Sequence, residues 1–211
     1  MDAQDRLSFA CKLRDQGLVD LLIAQEVLLI KKVFKLPGAQ YLPPINRYHL
    51  TIAKSQQSLE KVVKGYLLWH RESVSPFGGH AVITGIFDKQ IGGNTSRLKK
   101  LRETLRRTKI HGDIRWLESM APKAPSGQRG GADLNAADLV ENAEYPFSHP
   151  SAGIVCPAEH FTDRDALRAI LTARQTLQIV ASLSPNVAAR ETFEGAMQDF
   201  LRIDFATEKQ L

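Results

Sequence analysis

Seven cations crowd into thirteen residues of this chain. Arg97, Lys99, Lys100, Arg102, Arg106, Arg107 and Lys109 stand against a single acid, Glu103. This segment alone carries more positive charge than the net +5 of all 211 residues, so the basic character is local. Cations of nearly uniform sign suit a polyanion: each can neutralise a phosphate and release a counterion, and no base need be read. The acid at Glu103 can pair with Lys99 or Arg107 at helical i,i+4 spacing, which leaves most of the charge uncompensated. A solvated amphipathic face is the plainer account of such a run; its uniform sign argues for contact with an anionic partner.

Other residue types that could do chemistry are sparse. Cys156 and His160 have a spacing seen in metal sites, but two ligands do not make a zinc site and no second pair accompanies them. His149 precedes Pro150 and reads as a turn residue. Neither a phosphate-cradling Gly-x-x-x-x-Gly-Lys-Ser/Thr loop nor a Gly-x-Gly-x-x-Gly turn occurs. The expectation is a protein that is not an enzyme, with no cofactor and no metal. Two cysteines, Cys11 and Cys156, make no disulfide framework and point to a reducing compartment. No apolar run is long enough to span a bilayer, so no membrane insertion is expected.

The elements that must position the cations read mainly at helical period. Residues 4–16 place Leu7, Ala10, Cys11 and Arg14 on one face and are expected to end near Gly17. Leu18 to Lys35 is apolar most of the way round and predicts a buried helix stopped by Pro37-Gly38. A helix over 50–71 carries Leu59, Val62, Val63, Tyr66 and Leu67. His80 to Phe87 is ambiguous between a short strand and an irregular connection. Asn94 offers an N-cap for the basic helix, whose inward face is Leu98, Leu101 and Leu105. Residues 120–133 are rich in Pro, Gly and Ser and predict a flexible joint. Thr162 and Asp165 form a capping box before a helix with Leu167, Ile170, Leu171, Leu177 and Val180. Phe193, Ala196, Met197, Phe200 and Leu201 predict a last helix. The fold class is mostly α, in two helical lobes: an N-terminal lobe over 1–72, a basic insertion and linker over 73–135, and a C-terminal lobe over 136–211.

Two blocks carry a family resemblance. One runs from Tyr145-Pro146 through His149-Pro150-Ser151-Ala152-Gly153-Ile154-Val155, Pro157, Leu167-Arg168-Ala169-Ile170-Leu171 and Pro185-Asn186 to Thr192-Phe193, Met197 and Phe205. The other joins Ile30-Lys31-Lys32-Val33-Phe34-Lys35-Leu36-Pro37-Gly38 to Asn46-Arg47-Tyr48-His49-Leu50-Thr51-Ile52. In order and spacing they resemble the nucleocapsid proteins of phleboviruses and tenuiviruses, segmented negative-strand RNA viruses. The resemblance implies two helical lobes closing on a cationic cleft that holds single-stranded RNA without reading its sequence. It also implies self-association along the RNA, service to the viral RNA polymerase, and residence in the virion and host cytoplasm.

Carried over by position, the RNA-binding residues would be Lys31, Lys32, Lys35, Arg47, Lys54 and Arg190. To these the charge pattern adds Arg97, Lys99, Lys100, Arg102, Arg106, Arg107 and Lys109. Phe34, Tyr48, Tyr66 and Trp69 are candidates for stacking on bases, with core packing the plainer role. Arg168 is expected in a lobe-internal ion pair, for instance with Asp163 or Asp165. Few residues precede the first block, where the family has an arm that docks on a neighbour. The basic helix has no counterpart in the family, and an aromatic often found between the serine and alanine of Ser151-Ala152-Gly153 is missing. Two other readings are a duplex-DNA-binding regulator using helix 97–109 and an adaptor whose basic helix meets an acidic protein.

Overall fold

The structure is a computed structural model that describes residues 2–29, 47–70, 80–87, 95–121, 143, 147–149, 153–155, 157–183 and 192–202. It is mostly helical. In chain order the elements are α1 (Ala3–Leu29), α2 (Tyr48–Trp69), α3 (Val82–Phe87), α4 (Ser96–Arg107) and α5 (His111–Ser119). They continue with β1 (Phe147–His149), β2 (Gly153–Val155), α6 (Pro157–His160), α7 (Asp163–Ala181) and α8 (Phe193–Arg202). The two strands pair antiparallel, with Ser148 opposite Ile154 and His149 opposite Gly153.

The first departure from the sequence reading is α1, one continuous helix where two were expected. Gly17 does not end it. An added Cβ there would lie 2.7 Å from Val62 Cγ2 and 2.9 Å from the Ser58 carbonyl oxygen, so the glycine is where α2 crosses α1. Gly65 does the same from the other side, its absent Cβ 2.7 Å from the Ala10 carbonyl oxygen. Two helices that approach this closely bury Ala10, Leu18, Leu21 and Ala24 against Ile52, Leu59, Val62 and Tyr66. α7 lies across this pair and adds Ala169, Ile170, Ala173, Leu177 and Val180.

Buried side chains of α1 to α5, α7 and α8 join in one hydrophobic cluster. No division into two lobes with a cleft between them is shown among the described residues. The joint expected over 120–133 lies mostly outside them. At its edges the Ala143 amide donates to the Met120 carbonyl at 3.1 Å, which brings the chain back to the end of α5.

α3 is a helix, where a strand or an irregular connection was expected. Six residues cannot support a helix alone, since nucleation is costly and few internal bonds form. Its ends are held from elsewhere. Glu118 of α5 accepts from the Ile83 amide at 2.6 Å and the Thr84 amide at 2.9 Å, while Arg102 of α4 donates to the Ile86 carbonyl at 2.8 Å. A carboxylate at the amino end and a guanidinium at the carboxyl end both complement the helix dipole. The capping box at α7 forms as the sequence predicts: Thr162 Oγ1 accepts from the Asp165 amide, and Asp165 Oδ2 accepts from the Thr162 amide.

Candidate nucleic-acid interface

Thr95, not Asn94, caps α4, its hydroxyl accepting from the Leu98 amide at 3.3 Å. Three inward leucines, Leu98, Leu101 and Leu105, are fully buried and seat the helix on the core. Everything cationic except Arg102 then faces water. Arg97, Lys99, Lys100, Arg106, Arg107 and Lys109 are all exposed, with Glu103 exposed among them. None of these six cations forms an ion pair with another described residue, so the i,i+4 pairs open to Glu103 are not made. Arg106 and Arg107 sit in the last turn, where the helix dipole favours positive charge. Arg97 lies near enough to Glu194 of α8 to help hold that carboxyl in its ionised form.

Arg102 corrects the sequence reading. It is 6% exposed, and its Nε serves the Ile86 carbonyl, so it anchors α3 and cannot reach a phosphate in solution. Lys54 keeps 34% of its side chain exposed but has partners of its own. Its ammonium lies 3.2 Å from Asp20 Oδ1 and 2.8 Å from Gln57 Oε1, and Lys61 binds the other oxygen of the same carboxylate. Asp20 is buried, and an unpaired buried charge is costly, so both lysines are engaged in neutralising it. Arg47 stands half-buried at the N-cap of α2. Lys31, Lys32, Lys35 and Arg190 lie outside the described residues, as does Phe34.

The stacking candidates fare differently. Tyr66 is fully buried, in edge contact with His70 and Phe193 at 4.6 and 6.2 Å between ring centroids. Trp69 packs on Phe193, and Tyr48 against the core. Among the described residues, exposed cations gather on α4 and the turn that follows it.

Three features escaped the sequence. The first is the turn after α4: Thr108, Lys109 and Ile110 link it to α5 in three residues, with Lys109 at φ 58°. A lysine in the left-handed region is uncommon and fixes an abrupt corner. The second is a polar hub on α2, where Glu60 accepts from Lys64, Gln56 and His80. Burial raises the Glu60 carboxyl, but these bonds outweigh burial and leave it below the ordinary value. The third is His70, whose Nε2 lies 2.7 Å from Glu194 and ties α2 to α8. The His80–Glu60 and His70–Glu194 contacts join residues distant in sequence and carry no local signal, whereas Gln56, Glu60 and Lys64 stand at i,i+4 spacing that the sequence does display. Among the described residues no group of three or more His, Cys, Asp and Glu could hold a metal ion. No helix described is long and apolar enough to cross a membrane.

No protein-family model matches this chain, and neither a curated protein nor a solved structure matches it.

Proposed function

We propose that this protein coats single-stranded RNA without sequence preference, as a nucleocapsid subunit that assembles along a viral genome. One observation carries the reading: five exposed cations on α4 and Lys109 in the turn after it face solvent, on a helix seated by buried leucines, with Glu103 as the one acid among them. At about 18 Å long, α4 passes several phosphates of a strand laid along it. Side-chain cations on a polyanion give affinity without base readout, which is what packaging of a whole genome requires. The order and spacing of the two sequence blocks support the nucleocapsid assignment, with self-association, a viral polymerase as client, and the virion and host cytoplasm as location. The protein acts by binding, not by catalysis.

A second reading is favoured by the tight corner at Lys109. Two helices joined by three residues suit a duplex-DNA-binding regulator that lays its basic helix 97–109 on groove or backbone. Competition separates the two. Purified protein should carry RNA, and unlabelled single-stranded RNA should displace a labelled RNA far better than duplex DNA of equal length. Preference for duplex DNA with dependence on its sequence overturns the first reading in favour of the second. Absence of nucleic-acid binding at low salt overturns both.

A further inference from the structure

Arg168 stands at the junction of α5 and α7. Arg168 pairs with Asp113 of α5, not with Asp163 or Asp165 of its own helix as expected. Its Nε and Nη2 donate to the same oxygen, Asp113 Oδ1, at 2.8 and 2.6 Å. The guanidinium also lies over the indole of Trp116, 4.3 Å from the ring centroid. One face is thus covered by an aromatic ring and one edge is fixed by a carboxylate. The side chain is nevertheless 43% exposed, so what remains open is its outer face and far edge. A planar, delocalised cation held in this way differs from a mobile surface arginine: its plane is set before any ligand arrives, and little freedom is left to lose.

Its surroundings are suited to one kind of ligand. Along α7 and its C-cap the exposed positions Arg164, Arg168, Leu171, Gln175, Gln178 and Ser182 follow one another at helical spacing; the acids nearby are Asp113, already bonded to Arg168, and Asp163 at the start of the helix. Leu171, one turn beyond Arg168, is 46% exposed and adds an apolar side chain to the same stripe. Arg164, one turn before it, offers a cation. A flat cation bordered by an apolar side chain and a second cation fits a flat, electron-rich, uncharged ring attached to a phosphate. An unpaired nucleobase has this chemistry, and guanidinium planes accept bases by stacking. A base inside a duplex presents no free face, so this site takes single strands only.

We infer that the outer face of the Arg168 guanidinium, backed by Trp116 and fixed by Asp113, is a stacking platform for an unpaired nucleobase. The inference rests on the single-strand reading of the α4 face and adds to it a base-dependent contact on α7.

The full chain is titrated with a labelled short oligoadenylate RNA and with an abasic strand of the same length. The wild type should prefer the base-bearing strand by roughly tenfold, the scale of one base stacked on a π-face. Arg168→Lys keeps the charge and removes the plane. It should erase most of the preference and leave affinity for the abasic strand within about twofold. Because Arg168 also ties α7 to α5, thermal melting is followed alongside. Asp113→Asn weakens the same tie but keeps the guanidinium on Trp116, and should retain more of the preference than Arg168→Lys. An Arg168→Lys protein with the wild-type preference overturns the platform alone, as does a wild type with no preference between the strands. A wild type that binds neither strand overturns the nucleic-acid reading and the platform with it.

Discussion

The Glu118 carboxylate and the Arg102 guanidinium grip opposite ends of α3, the first taking two backbone amides and the second serving the Ile86 carbonyl. An arginine drawn from a face otherwise devoted to solvent thus becomes part of the core. Arg102→Met keeps the buried stem and strips the hydrogen bond from a buried carbonyl. The protein should lose about 1–3 kcal/mol of stability in urea unfolding. The salt dependence of nucleic-acid binding should stay as in the wild type, since this side chain touches no phosphate. A variant with full stability and a flattened salt slope would reverse the assignment.

The outward cations should behave in the opposite way. Arg106→Glu with Arg107→Glu should leave the melting temperature within a few degrees and weaken RNA binding. The slope of log K against log salt should fall in magnitude by about 1.4 if both residues neutralise a phosphate of a single strand. Glu103 is the one acid on this face, and it repels the same phosphates. Glu103→Gln should tighten binding about two- to threefold at low salt, with the gain fading as salt screens the field.

Gly17 tests the packing of α1 on α2. By helix propensity alone, Gly→Ala inside a helix is stabilising by about 1 kcal/mol. Here the added methyl would meet the Ser58 carbonyl oxygen at 2.9 Å, and backbone in the middle of a helix cannot step aside as a side chain can. Gly17→Ala should therefore destabilise, by about 1–3 kcal/mol in denaturant unfolding. A gain in stability would mean that the two helices sit further apart than the structure places them.

Acid should loosen the attachment of α8. Burial raises the Glu194 carboxyl, but the bond to His70 outweighs it and holds the group below its ordinary value of 4.5. A carboxyl lowered in the folded state adds stability that is present above its unfolded value and lost as pH falls through the folded one. Glu60 acts with the same sign. Glu118 opposes them: burial raises it, so its share of stability falls as pH rises from the unfolded value through the raised one. Glu194→Gln should cost about 1–3 kcal/mol at neutral pH. Its stability should also decline less steeply below about pH 4.5 than that of the wild type, as read from melting temperatures across a pH series.

Much of the helical content was legible because it is a local property. The 3.6-residue spacing of Leu98, Leu101 and Leu105 marks the inner face of α4, and the Thr162–Asp165 pair marks the start of α7; neither needs a distant partner. The α4 charge face was equally legible, since exposure of Lys99, Lys100, Arg106 and Arg107 follows from burial of the leucines between them. What failed was whatever depended on another element. Gly17 read as a stop because sequence reports the missing side chain and not the helix that fills its place. His80 to Phe87 carried no periodicity, and its helix exists because Glu118 and Arg102 reach it from α5 and α4.

The sequence by itself therefore determined a mostly helical chain with one concentrated cationic face, since both arise from residues within a turn or two of one another. Tertiary structure decided which cations remain available. Arg102 is taken by the Ile86 carbonyl, Lys54 shares the buried Asp20 carboxylate with Lys61, and Arg168 lies over Trp116 with one edge on Asp113. Hydrogen bonds and charge pairs act over a few ångströms in space, and distance along the chain says nothing about which groups will come that close.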